Sequence, residues 1–183
     1  MRLLPGFLNR LLAVPVVPTA ELSEGMVATV RGTVVPRDLM DSPLTGTRCV
    51  YYRYAIEQWR HSRVAGVGGD GFWELVERDE AILEFYIDDG HGRVIVAPQG
   101  ARVKRARGID DTPFELTVQR RAQQMLIESG DLIEVTGLVT LAEDLFDEHR
   151  GYRANPSRFM LCQKRDGELV IRLLEKSPSA GNY

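Results

Sequence analysis

Leu39 to Trp59 reads LMDSPLTGTRCVYYRYAIEQW, and its two halves set what is expected of the rest of the chain. Asp41-Ser42-Pro43-Leu44-Thr45-Gly46 is turn chemistry. Pro43 biases Ser42 toward an extended backbone, and Gly46 can take positive φ without a steric penalty. Arg48 to Trp59 is then rich in aromatic and β-branched side chains, which suits a long strand. Along it Cys49, Tyr51, Arg53, Ala55, Glu57 and Trp59 alternate with Val50, Tyr52, Tyr54, Ile56 and Gln58. Both sets are mixed, so the strand is expected to be covered at one end and solvated at the other. No catalytic constellation lies in or around it.

Upstream, Met26 to Val35 (MVATVRGTVV) has strand character, with Gly32 in its middle and Pro36 as its stop. A mid-strand glycine marks a bulge or a sharp coil of the sheet, which closed barrels need. Downstream, Arg60 to Gly71 carries four glycines and reads as a hairpin tip. It lacks the Gly-Lys-Ser/Thr of a phosphate-binding loop. Phe72 to Arg78 and Ile82 to Ile87 read as strands. Asp88-Asp89-Gly90-His91-Gly92 is a tight turn, and Arg93 to Ala97 returns from it as the second half of a hairpin. The turn lacks the ligand spacing of an EF-hand.

Glu115 to Ser129 is ambiguous. Val118, Ala122, Met125 and Leu126 fit a helical face, whereas Leu116, Val118, Ala122 and Leu126 fit an interrupted strand. The helix propensity of QRRAQQML favours a short helix. Gly130-Asp131 is a turn, and Leu132 to Leu141 is a strand with Gly137 in its middle. Arg158 to Lys164 and Leu169 to Leu174 read as a closing hairpin turned at Asp166-Gly167, and Lys176 to Tyr183 as a frayed tail. The sum is about eight short strands with at most two short helices. That is an all-β chain, expected to form an antiparallel OB-like β-barrel, with a β-sandwich as the alternative.

The remaining segments bound the function. At 183 residues, one domain is expected over residues 25–175, after an N-terminal segment (1–24) and before the tail (176–183). Leu3 to Val17 is too short, and too polar at Asn9 and Arg10, for a spanning helix. A helix there would dock on its own core, on a neighbour or in a membrane interface. A net charge of −3 argues against a dedicated nucleic-acid coat. Arg102, Lys104, Arg105 and Arg107 still form a local basic run, read chiefly as a solvated face. The two cysteines, Cys49 and Cys162, sit among apolar neighbours and read as buried thiols in a reducing compartment. The acidic stretch Ala142 to Asn155 has no recognisable ligand spacing, so no metal and no cofactor are expected.

Several motifs follow one another in a fixed order: Arg31-Gly32-x-Val34; Ser42-Pro43-Leu44-Thr45-Gly46 with Cys49-Val50-Tyr51-Tyr52; Trp73 on a strand; Ile87-Asp88-Asp89-Gly90-x-Gly92-x-Val94-x-Val96; and Leu126 with Gly130-Asp131-x-Ile133-x-Val135-x-Gly137. Together they resemble the GIDE domain, also called the beside-a-membrane domain, across roughly Gly25 to Leu174. That domain lies between the membrane helices of mitochondrial ubiquitin ligases and occurs in bacterial proteins too. The resemblance implies a β-rich module that binds or regulates near a membrane. It does not imply ligase activity, because two cysteines cannot build the RING finger that supplies it. The motif residues look structural: Gly46, Gly90, Gly92 and Gly130 supply turns, and Val50, Tyr52, Val94 and Val96 supply core.

The function expected is therefore a non-catalytic module that binds a protein or a small ligand, cytoplasmic and open to a peripheral membrane contact. The surface expected to carry it is Tyr51, Trp59, Trp73, Arg105 and Arg107. A single-stranded nucleic-acid-binding OB domain is the alternative, resting on Tyr51, Tyr52, Tyr54 and the basic run. An enzyme is disfavoured, since Ser42 and Cys49 have no histidine at a recognisable spacing and Cys49 lies in an apolar strand.

Overall fold

A computed structural model describes residues 14–61, 71–107, 109, 113–143, 157–165 and 167–178. Thirteen strands lie among these described residues. They are β1 (Val27–Pro36), β2 (Met40–Asp41), β3 (Arg48–Cys49), β4 (Tyr51–Arg60), β5 (Phe72–Ile82), β6 (Phe85–Asp88) and β7 (Arg93–Val96). After them come β8 (Arg102–Arg105), β9 (Phe114–Thr117), β10 (Arg120–Ile127), β11 (Leu132–Glu143), β12 (Ser157–Cys162) and β13 (Val170–Glu175). The only helical turn placed before them is a 3-10 turn at Thr19–Glu21. The expected all-β class holds.

Five strands close a barrel in the order β1-β6-β7-β12-β11 and back to β1. Renumbered within the ring alone, that order is 1-2-3-5-4-1, consistent with an OB-like barrel. Four of the five contacts are antiparallel; β12 meets β7 in parallel, through Met160↔Ile95 and Leu161↔Val96. The alternation of β1 puts Ala28, Val30 and Val34 inside, where they meet Ile87, Val94, Ile133, Val135 and Leu161 in one apolar cluster. Each fully buried aliphatic side chain of this kind contributes about 1.5–3 kcal/mol.

Both mid-strand glycines lie in regular ladder rather than in bulges, with Gly32 opposite Ile133 and Gly137 opposite Ala28. What each supplies is close approach. A Cβ on Gly32 would press on the Asp88 carbonyl and come 2.6 Å from the Ile87 methyl; on Gly137 it would come 2.9 Å from the Cys162 carbonyl oxygen and 2.6 Å from Leu169. These are points of close strand approach in the barrel wall. Gly137 also marks where the edge of β11 changes neighbours, from β13 (Leu132–Thr136) to β12 (Leu138–Glu143).

That change of neighbour corrects the expected closing hairpin. β12 and β13 are consecutive but do not pair with each other, because both line the same edge of β11. β13 then carries β8 in parallel outside the ring. A second sheet, in the order β5-β4-β10-β9, grows from the connections between the first and second and between the third and fourth ring strands. Here the expected helix at Glu115–Ser129 is replaced by the β9–β10 hairpin. Pairing of all eight β10 residues with β4 outweighs the helix propensity of QRRAQQML. The strand expected from Arg48 breaks at Val50, so that Cys49, Val50 and Tyr51 are all buried as the chain leaves the barrel. The strand expected over Phe72–Arg78 runs on to Ile82, and the one expected over Ile82–Ile87 is β6, Phe85–Asp88.

Side chains tie the two sheets together. β9 covers the outer edge of β10 only as far as Ala122. Beyond it, Arg105 donates to the Gln124 carbonyl at 2.6 Å and Lys176 to the Leu126 carbonyl at 3.3 Å. Lys176 also reaches Glu128 at 2.6 Å and Asp131 at 2.8 Å. Asp131 is fully buried and accepts the backbone N–H groups of Glu128 and Ser177 as well. Lys176 and Ser177 are thus pinned rather than frayed. The expectations for Leu3 to Ala13, for the glycines 66–69, for most of the acidic stretch and for the tail beyond 178 lie outside the described residues.

Candidate functional site

β4 is the centre of the second sheet, and its period of two sends alternate residues to opposite faces. One face carries Tyr52, Tyr54 and Ile56. It is covered by the turn of the opening stretch, where Leu44 packs on Tyr54, Ile56 and Ala122 and Thr45 accepts from Gln124 at 3.1 Å. Ser42 and Gly46 shape that turn: the Gly46 N–H donates to the Ser42 carbonyl at 2.8 Å, with φ +68° at Gly46.

The other face runs from Tyr51, buried at the barrel end, through Arg53 and Ala55 to Glu57 and Trp59. Cross-strand neighbours Glu80 and Arg78 from β5, and Met125 and Gln123 from β10, flank Arg53 and Ala55. Opposite this face lies β8. Between them run two adjoining depressions of 610 and 520 Å³ that share Arg53, Glu80 and Arg105. Together they form one groove. Arg53, Arg78, Arg102, Lys104 and Arg105 line it, against the carboxylate of Glu80; the Asp79 carboxylate bonds Tyr52 on the opposite face.

The lining of the groove is mostly cationic, and the phenols and the thiol around it are shifted toward their neutral forms. The Tyr51 phenol donates to Glu80 at 2.7 Å, and burial first, then that bond, pushes its pKa well above the ordinary phenol value. The Tyr54 phenol, donating to Glu77 at 2.8 Å, is pushed up to about 12 by that bond, with burial adding to it. Tyr52 bonds Asp79 in the same way at 2.9 Å. All three phenols stay neutral at physiological pH. Cys49 is pushed up to about 11, by burial first and then by Glu128, so its thiolate is scarce. Among the described residues no group of three metal-ligating side chains gathers, and no helix is long and apolar enough to cross a membrane.

The expected surface residues are divided. Arg105 is in the groove but also committed to the Gln124 carbonyl, so it positions the wall. Arg107 is exposed just past β8. Tyr51 is buried core. Trp59 and Trp73 pack edge to face at 5.3 Å, with Arg121 stacked over Trp73 at 4.3 Å and paired with Glu57 at 2.7 Å. They lie on the groove face of the sheet but farther out. Phe72, Leu75 and Val118 are exposed near them, and give that end an apolar character. Among the motif residues, Asp89 accepts from Thr19, His91 and Gly92, Gly90 and Gly130 take positive φ, and Tyr52 is half-buried. Arg53 and Arg78 escaped sequence reasoning; the alternation of β4 could have flagged Arg53, but the approach of β8 has no local signal. Compared with known proteins, the chain matches no family model, no curated protein and no solved structure at a significant level.

Proposed function

We propose that this chain is a non-catalytic binding module of the kind the GIDE resemblance implies, acting on an anionic partner through the groove between β4 and β8. The observation that carries this reading is the gathering of Arg53, Arg78, Arg102, Lys104 and Arg105 in one open cleft of a chain whose net charge is −3. Glu80 and the Glu168 partner of Arg102 offset part of this charge, and a bound anion would offset more of it. Neutral phenols, a protonated Cys49 and, among the described residues, the lack of a nucleophile–base pair speak against turnover. The exposed apolar end of the second sheet supports a macromolecular partner, beside a membrane if the resemblance extends that far.

The test is fluorescence anisotropy with labelled poly-L-glutamate at low salt. Binding should weaken steeply with salt, and Arg53→Gln/Arg78→Gln should weaken it at least tenfold, about 1.4 kcal/mol. No binding by the wild type, or equal binding by the variant, overturns the reading. A second reading, single-stranded nucleic-acid binding, draws on the OB-like strand order and the same arginines. Against it, Tyr51 is buried and the side chains of Tyr52 and Tyr54 lie on the covered face, so among the described residues no free aromatic platform lines the groove.

A further inference from the structure

The face of β4 that floors the groove continues outward past it. Opposite Ala55, Glu57 and Trp59 stand Arg78, Leu75 and Trp73 of β5, so these side chains share the face of Arg53. Along that face the chemistry changes from cationic to apolar. At the outer end Arg121 lies over Trp73 and pairs with Glu57, while Leu75, opposite Glu57, is half exposed. At the inner end the arginines are not neutralised in this way. Glu80 is the cross-strand neighbour of Arg53, yet it accepts from the Tyr51 phenol at 2.7 Å; Arg53 points to the Met125 sulfur at 3.8 Å. Among the described residues, neither Arg53 nor Arg78 stands within ion-pair distance of a carboxylate. Tyr51, itself buried, is thereby a positioning residue: it keeps Glu80 from closing on Arg53.

We propose that this face binds an extended segment of a partner protein that offers a carboxylate side chain to Arg53 and Arg78 and, a few residues farther along, a large apolar side chain to Leu75 next to Trp73. This rests on the groove reading above and names its partner. Charge complementarity sets the first anchor, since guanidinium groups receive carboxylates in a two-pronged geometry. The half-exposed Leu75 sets the second. Arg53 lies roughly 13–20 Å of strand from Glu57 and Trp59, a separation that asks for a chain rather than a small molecule. A lipid surface fits less well, because Arg53 stands in the cleft between β4 and β8, where a flat surface does not reach it. A nucleic acid fits less well too. Glu57 and Glu80 on the same face oppose a run of phosphates, and Trp73 is covered by Arg121 rather than open to a base.

The experiment uses the full chain and a labelled peptide in which Glu-Glu and Leu-Leu are joined by a Gly/Ser spacer of about four residues, made in both orders. The tighter order is the parent; one relative has Ser-Ser for Leu-Leu and another lacks the spacer. The parent should bind about tenfold more tightly than either relative. Leu75→Ser should bring the parent down to the level of the Ser-Ser relative, leave that relative unchanged and keep the melting temperature. Tyr51→Phe should weaken every peptide, and Glu80→Gln added to it should restore them. If the parent and the Ser-Ser relative bind alike, while poly-L-glutamate is retained by the wild type and lost by Arg53→Gln/Arg78→Gln, the groove reading stands and the apolar anchor fails. A Tyr51→Phe loss that Glu80→Gln does not relieve overturns the account of Arg53. Tighter binding of anionic phospholipid vesicles or of an oligothymidylate, lost in Leu75→Ser, overturns the choice of partner. So does self-association of the protein that the same variant abolishes.

Discussion

Replacing Asp131 with alanine should be among the most damaging single changes to this fold. The carboxylate has no solvent exposure and three donors: Glu128 N–H at 2.9 Å, Ser177 N–H at 2.8 Å and Lys176 Nζ at 2.8 Å. Each hydrogen bond to a charged acceptor contributes about 1.5–3 kcal/mol, and the terms overlap. Breaking a buried pair by removing one partner costs about 3–5 kcal/mol, so about 4 kcal/mol is expected. That is a large part of a typical total of about 5–15 kcal/mol. With a urea slope of roughly 2–3 kcal/mol/M, the midpoint should fall by roughly 1.3–2 M. Asp131→Asn keeps the shape and loses the charge, and should cost about half as much. Lys176→Met strands the same carboxylate, so the double variant with Asp131→Ala should lose at least about 1 kcal/mol less than the sum of the two. Urea melts of the wild type and the four variants decide it. A loss under about 0.5 kcal/mol for Asp131→Ala, the size of an ordinary surface change, would refute the claim that this carboxylate ties the C-terminal segment to the barrel.

Gly32→Ala should destabilise by about 1–3 kcal/mol through overpacking against Ile87 and the Asp88 carbonyl; an unchanged thermal midpoint would contradict the close approach. Asp88 titrates below the usual carboxylate range because the Gly90 N–H and Arg93 donate to it; Asp89 does so because bonds from Thr19, His91 and Gly92 together outweigh its burial. Their contribution to stability is therefore complete above about pH 4 and is lost as pH falls below it, since the unfolded chain takes up protons first. The urea midpoint should drop between about pH 4 and pH 2, less steeply in Asp89→Asn; equal slopes would count against the assignment. In a Cys162→Ser background, Cys49 should react with a thiol reagent at mildly alkaline pH only as fast as the protein unfolds, and fast labelling of the native state would contradict its burial.

What could be read from the sequence was local. The alternation of Val30 and Val34 placed β1, and Asp88-Asp89-Gly90 placed the β6–β7 turn, because both signals lie within a few residues of each other. The features missed depend on partners far along the chain. Gln123 and Gln124 are good helix formers, and only pairing with β4, about seventy residues earlier, makes a strand of them. Leu161 and Ile171 flank a plausible hairpin turn, yet both sit against β11. Nothing in Gly130-Asp131 announces that the carboxylate will be buried with Lys176. The groove was half legible: Arg102, Lys104 and Arg105 form a visible run, but Arg53 and Arg78 join it only once β4 and β5 fold across from β8.

The ring has an order of completion written into it. β12 begins at Ser157 and is the piece that fits between β7 and β11. Until it emerges during synthesis, the wall formed by Val94, Val96 and Val139 stays open to water, with two bare strand edges beside it. Antiparallel neighbours already made cannot seal that gap. A nascent chain stalled before residue 157 should therefore be sticky, a natural client for holding chaperones. The arrival of β12 converts it to a closed cylinder.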